Sequence, residues 1–204
     1  MKFVYYFGDG QTDGAVHQKD LLGGKGANLA EMTQLEIPVP PGFTITTEVC
    51  THYMNQGEFP QSLKNQVDES LLKTEAIMNQ KFGSESNPLL LSVRSGARQS
   101  MPGMLETVLN VGLTSKILPG LIQKSGDERF VYDAYRRLIT MYSDVVMEKA
   151  QGLNPKNEKG IREQLEAILD NYKSAHNYLA DTDLTANDLK IIANSLPRAI
   201  LRSR

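Results

Sequence analysis

The sequence predicts an α+β protein, with a mixed sheet subdomain first and a helical subdomain after it. Before Gly112, β-prone runs such as Val4-Tyr5-Tyr6-Phe7, Phe43-Thr44-Ile45-Thr46 and Leu89-Leu90-Leu91-Ser92-Val93 alternate with turns and helical stretches. Beyond Gly112 the apolar patterns are helical rather than alternating. The expected divisions are an α/β part over 1–112, a helical part over 113–190 and a short basic tail over 191–204.

Each element follows from local chemistry. Lys2 to Phe7 is β-branched and aromatic and ends at Gly8-Asp9-Gly10, which reads as a strand entering a turn. Gln11 to Asp20 is polar and reads as loop. From Gly26, Ala27, Leu29, Ala30 and Met32 support a short helix with a glycine-rich entry. Ile37-Pro38-Val39-Pro40-Pro41-Gly42 must be extended, because proline drives its predecessor out of the α region. Phe43 to Thr46 returns to the sheet, and Thr47 with Glu48 opens another helix.

From Pro60 to about Phe82, the residues Leu63, Val67, Leu71 or Leu72, Ala76 and Ile77 mark one amphipathic helix. Leu89 to Val93 is the continuous apolar run of a buried strand, which puts Arg94 at a strand end. Helical patterns then cover Ile117 to Ile122, Phe130 to Lys149 and Ile161 to Tyr178. Gln151 to Lys159 interrupts them, and Asp181 to Asp188 supplies helix-capping residues.

Composition narrows the function. A hydrophobic share of 40% and a charged share of 23% are ordinary for a globular chain that buries a core. With 22 basic and 24 acidic residues the formal net charge is -2, so no global field draws in nucleic acid or an anionic membrane. The apolar N-terminus reaches a Gly-Asp-Gly turn too soon for a signal peptide or a membrane span. The single cysteine, Cys50, excludes an internal disulfide and has no metal-ligand spacing around it, which fits the cytoplasm.

Two glycine-rich runs, each built around a cation, carry the chemistry. In Leu21-Leu22-Gly23-Gly24-Lys25-Gly26-Ala27, free N–H groups after Gly24 and Gly26, together with the Lys25 ammonium, make an anion cradle at a helix start. A solvated lysine in a glycine turn accounts for this run equally well, since it matches neither common phosphate-loop pattern. The second run, Ser92-Val93-Arg94-Ser95-Gly96-Ala97-Arg98-Gln99-Ser100-Met101-Pro102-Gly103-Met104, delivers a guanidinium from a strand into a loop. Arg94 can bridge phosphate oxygens through parallel hydrogen bonds and stays charged near neutral pH. Ser95, Ser100 and the N–H groups around Gly96 add donors, and Met101-Pro102-Gly103-Met104 suits an apolar flap. The bland alternative pairs these arginines with local carboxylates such as Glu106.

These residues resemble the N-terminal nucleotide-binding domain of pyruvate phosphate dikinase. Leu21 to Met32, Pro40-Pro41-Gly42-Phe43-Thr44, Pro88 to Met104, and Tyr132-Asp133-Ala134-Tyr135-Arg136-Arg137 continuing to Met147 look like that family's segments in order and spacing. Phosphoenolpyruvate synthase shares the lysine loop and the Val-Arg-Ser segment. Gly96 to Met104 is similar to the dikinase form instead. The resemblance implies a partial ATP-grasp-like domain that binds Mg·ATP, with Lys25 and Arg94 in the catalytic, phosphate-binding roles. It also implies nucleotide contacts from Gly24, Gly26, Ser95, Gly96, Ala97, Arg98, Ser100, Met101, Pro102 and Gly103, with Ser95 to Gly103 closing over the phosphates.

The same resemblance marks what is expected elsewhere. In the family, phosphoryl transfer passes through a histidine in a Gly-Gly-Met-Thr-Ser-His type segment to pyruvate. His17, His52 and His176 lack that setting. A pyruvate-binding barrel needs about 250 residues and cannot fit. Magnesium ligands belong to a later part of the family's domain, so no metal ligand is assigned here, and helix capping is expected of Asp181, Asp183 and Asp188. The expected partners are ATP and the phosphohistidine and pyruvate-binding domains of a dikinase. The chain then reads as a fragment or truncated homologue not competent alone, the alternatives being a docking module or an inactive relic. Neither Arg136 nor Arg137 is assigned a role, since an inward and a solvated arginine fit equally.

Overall fold

The computed structural model describes residues 1–96, 107–148 and 160–202, and the side chains only as far as Pro197. The chain divides into two compact units, the first made of Met1–Lys81 with Arg94–Glu106 and the second of Phe82–Val93 with Thr107–Arg204. The line between them differs from the expected one at residue 112, because Phe82–Val93 packs with the helices that follow it rather than with the first sheet.

In the first unit, β1 (Val4–Gly8) is central to a sheet of order β2-β1-β3, with β2 at Gln11–Thr12 and β3 at Gly42–Ile45. Both pairings are antiparallel, with Phe7 opposite Thr12 on one side and Val4 opposite Ile45 on the other. This corrects the expected mixed sheet. A reversal as tight as Gly8-Asp9-Gly10 permits only antiparallel pairing, and the remaining strands form a separate two-stranded sheet. Val4 and Tyr6 are buried while Tyr5 and Phe7 are half-buried, as a one-sided strand requires. Helix α1 (Lys19–Gln34) packs against the sheet, and α2 (Thr47–Gln56) and α3 (Leu63–Met78) complete the unit. Phe3, Val4, Val49 and Leu63 form its small core. Gln66 of α3 fixes β1 by accepting from the backbone N–H of Phe3 at 2.7 Å and of Val4 at 3.1 Å.

The second unit holds a two-stranded sheet, β4 (Leu91–Arg94, its last residue belonging to the first unit) and β5 (Thr107–Val111). Helices α4 (Leu118–Ser125), α5 (Glu128–Tyr142), α6 (Ile161–Ala175) and α7 (Ala186–Arg202) follow, with a π-helical turn over Ser143–Glu148 and a 3-10 turn over Asp181–Asp183. Asp127 starts α5 by accepting from the Phe130 N–H at 2.9 Å, a side-chain cap of the ordinary kind. The broad apolar face of α5 meets α6 and α7 in one core that includes Val131, Leu138, Leu165, Leu189, Ile192 and Leu196.

Two sequence expectations change here. The stretch 191–202 is not a tail but the body of α7, where Ile192, Ala193 and Leu196 are buried. Its basic residues masked a helical apolar stripe. The run Leu89 to Val93 is buried at Leu89 but not along β4, where Val93 is 51% exposed, because a two-stranded ladder cannot cover a strand on both faces.

Leu189→Ala removes a fully buried side chain from this core and is expected to destabilise the second unit by about 2–5 kcal/mol. Leu179→Ala, at a position 95% exposed, is expected to change stability by less than about 0.5 kcal/mol. Urea unfolding followed by circular dichroism checks both.

Candidate functional site

The lysine run lies within α1, earlier than the sequence pattern places the helix. Gln18 sets up the first turn, accepting from Ala15 N–H through its side chain and from Leu22 N–H through its carbonyl. The helix then breaks at Gly23, whose φ of 69° and ψ of 169° belong to a region essentially closed to residues with a Cβ. A helix that restarts at Gly24 has a new N-terminus, and its first-turn N–H groups lack intrahelical acceptors. Lys25 stands in that turn with its side chain exposed. Leu22 before the break is 1% exposed and anchors the loop. Gly26 after it lies so close to β3 that a methyl group there would stand 2.7 Å from Thr44 Cγ2, so its lack of a side chain serves helix-to-strand packing.

Arg94 ends β4 and is exposed, and Ser95 and Gly96 continue the chain beside the lysine run. The approach is backbone to backbone. A Cβ on Gly23 would lie 2.0 Å from the Gly96 carbonyl oxygen and 2.6 Å from its carbon. The Ser95 hydroxyl is buried and has no hydrogen-bond partner among the described residues. Of the expected site residues, Gly24, Lys25, Gly26, Arg94, Ser95 and Gly96 thus fall on two segments that touch. Ala97, Arg98, Ser100, Met101, Pro102 and Gly103 lie outside the described residues. Sequence reasoning passed over Gly23, although a second glycine directly before Gly24 was a visible signal.

Residues 19–75, which include the whole lysine run and the Pro-Pro-Gly-Phe-Thr segment, match the family model described as pyruvate phosphate dikinase, AMP/ATP-binding domain. That stretch is a homologue of the domain. The chain is 48% identical over 94% of its length to pyruvate, phosphate dikinase of Clostridium symbiosum, 45% identical over 98% to that of Rhizobium meliloti, and 49% identical over 93% to the chloroplastic dikinase 1 of Oryza sativa subsp. japonica. The chain spans about a fifth of the length of these relatives. The α+β class and the nucleotide-binding family expected from the sequence are both met.

In the second unit the Tyr132-Asp133-Ala134-Tyr135-Arg136-Arg137 segment lies on α5, where the paired arginines separate. Arg136 is 8% exposed and turns inward, where its Nη2 donates to Asp133 at 2.7 Å and to Asp181 at 3.3 Å. Arg137 stays largely exposed, its Nε 2.9 Å from the other Asp133 oxygen. Lys173 donates to Asp181 at 2.9 Å and lies 3.1 Å from Asp170. These groups border a cleft of about 580 Å³ whose positive and negative side chains neutralise one another. The Asp181 carboxyl is held below its ordinary range, first by the Lys173 hydrogen bond and then by nearby cationic charge.

The carboxylates after residue 180 are all engaged structurally. Asp181 is an ion-pair partner rather than the helix cap expected of it. Asp183 accepts from the Leu179 and Ala180 N–H groups at 2.9 and 2.8 Å, closing the 3-10 turn. Asp188 and Thr185 form a reciprocal cap for α7: Asp188 accepts from the Thr185 N–H at 2.9 Å, and Thr185 Oγ1 accepts from the Asp188 N–H at 3.3 Å. Tyr172 and Tyr178 donate to the same carboxylate at 2.8 and 3.1 Å. His176 is exposed and stacked on both tyrosine rings, with His17 exposed and His52 half-buried in the first unit. Among the described residues, no group of three or more His, Cys, Asp or Glu side chains is arranged to hold a metal ion.

Donation from the Thr185 hydroxyl and N–H, joined by the two tyrosines, brings the Asp188 carboxyl down to about 2. A depressed carboxylate contributes stability that is complete above its unfolded pKa of about 3.9 and is lost as pH falls through the folded value. Asp188→Asn is therefore expected to cost about 2–3 kcal/mol at pH 7 and to flatten the fall in stability between about pH 4 and 2. Urea unfolding across that pH range measures it.

Proposed function

We propose that the chain is the ATP-binding portion of a pyruvate phosphate dikinase, with Lys25 and Arg94 as its phosphate-binding cations. In the complete enzyme, ATP, pyruvate and phosphate give AMP, phosphoenolpyruvate and diphosphate by way of a phosphohistidine on another domain. The observation that carries the reading is the meeting of the two loops at Gly23 and Gly96, in a chain whose residues 19–75 match an AMP/ATP-binding domain. An ammonium beside a fresh helix N-terminus and a guanidinium at a strand end supply fixed positive charge. Phosphoryl transfer through a loose transition state is served mainly by such positioning and electrostatics. Gly24 and Gly26 contribute backbone donors, and the Ser95 hydroxyl, unpartnered among the described residues, suits a phosphate oxygen. Ala97, Arg98, Ser100, Met101, Pro102 and Gly103 complete the site by closing over the phosphates.

The magnesium ion implied by the resemblance does not fit the described residues, among which no group of three or more His, Cys, Asp or Glu side chains is arranged to hold a metal ion. The partners are ATP and the phosphohistidine and pyruvate-binding domains of a dikinase, and by itself the chain does not turn over pyruvate. No helix among the described residues is long and apolar enough to cross a membrane. The exposed, unpaired Cys50 suits the reducing cytoplasm.

Calorimetric titration with Mg·ATP tests this reading. Lys25→Ala and Arg94→Ala are each expected to weaken binding about 10- to 100-fold, as the loss of a charge-assisted hydrogen bond worth about 1.5–3 kcal/mol requires. A folded parent chain that fails to bind, or one indifferent to both substitutions, would exclude a working phosphate site.

A further inference from the structure

Gly23 is outside the set of residues assigned to nucleotide contact, yet two independent constraints meet on it. Its backbone angles, φ 69° and ψ 169°, break α1 directly before the turn that carries Lys25. Its missing side chain leaves the space occupied by the Gly96 carbonyl, two residues beyond Arg94. Gly8, at φ 123°, is also pressed onto backbone, that of Pro41, but not every left-handed glycine of the unit is so confined. Gly57 has a similar φ of 74° at the C-terminus of α2, but a Cβ there meets nothing within 4 Å.

Resting on the reading of Lys25 and Arg94 as one phosphate site, we infer that Gly23 is its positioning residue, coupling the two cationic loops through backbone contact with Gly96. The contact works in both directions. The break at Gly23 sets where the helix restarts, and so where Lys25 and the first-turn N–H groups point. The Gly96 carbonyl, seated against that break, fixes the start of the loop that follows Arg94. Contact of this kind excludes even a methyl group, so alanine at position 23 must displace one loop from the other. Gly23 itself makes no contact with phosphate and acts through Lys25 and Arg94.

The test is calorimetry with Mg·ATP on the full chain, with melting followed by circular dichroism. Gly23→Ala is expected to lower affinity by about tenfold or more in a chain that still folds. Gly57→Ala, at a left-handed position of φ 74° and ψ 2° that a Cβ strains less and that has no loop contact, is expected to bind within about twofold of the parent. In a double variant with Lys25→Ala, Gly23→Ala is expected to add clearly less loss than it causes in the parent, since only its effect through Arg94 remains. A folded Gly23→Ala chain that binds like the parent, or losses that simply multiply in the double variant, would overturn the coupling. Failure of Lys25→Ala and Arg94→Ala to weaken binding would instead overturn the phosphate-site reading beneath it. If Gly23→Ala does not fold, ligand-free hydrogen exchange on Gly96→Pro decides. Coupled loops require amide exchange across 20–28 to accelerate at least about tenfold, and unchanged exchange there refutes the coupling.

Discussion

The carbonyl of Gly96 rests where the side chain of any other residue at position 23 would stand. That exclusion is the constraint that lets the two glycine segments of the first unit meet. It brings together two segments about seventy residues apart in the chain, and it does so with backbone atoms, whose positions are far less adjustable than those of long side chains. The neighbouring features reinforce it. Leu22 is buried on one side of the break, Gly26 is pressed onto Thr44 of β3 on the other, and Thr47 donates to the Asp20 carbonyl at 2.6 Å. The segment carrying Lys25 is thus held at both ends while its ammonium stays exposed. Fixed backbone with a free charge is the arrangement that favours binding of an anion without reorganisation.

The second unit uses charge differently. Its ionic groups are satisfied by one another: Arg136 by Asp133 and Asp181, Lys173 by Asp170 and Asp181, and Arg162 by Asp144 and Glu166. Burying Arg136 without its carboxylates would cost several kcal/mol, so the pairs are conditions for the packing of α5 rather than a surplus of stability. Asp188 serves in the same way at the start of α7, where one carboxylate accepts from two tyrosines and one threonine at once.

Much of this was legible beforehand where the signal is local. The α5 stripe, the turn at Gly8-Asp9-Gly10, the helix over Leu63–Met78 and the cation at each glycine run all follow from neighbours within a few positions. The misses share a physical cause. Adjacent Arg136 and Arg137 are chemically identical, and only the roughly 100° rotation per helical residue against a particular partner decides which one is buried. Asp181 looked like a cap because it stands among capping residues, but its partners, Arg136 and Lys173, are set by how α5 and α6 pack.

The sequence by itself determined the α+β class and the resemblance to the dikinase nucleotide-binding domain, because residue patterns and glycine runs carry that information in their type. Tertiary structure alone decided that the two loops touch, that Gly23 is the residue making this possible, and that the last helix is core rather than tail. Those outcomes depend on which distant backbone or side-chain atoms occupy the same space, and steric exclusion between remote segments leaves no periodicity for a linear pattern to display.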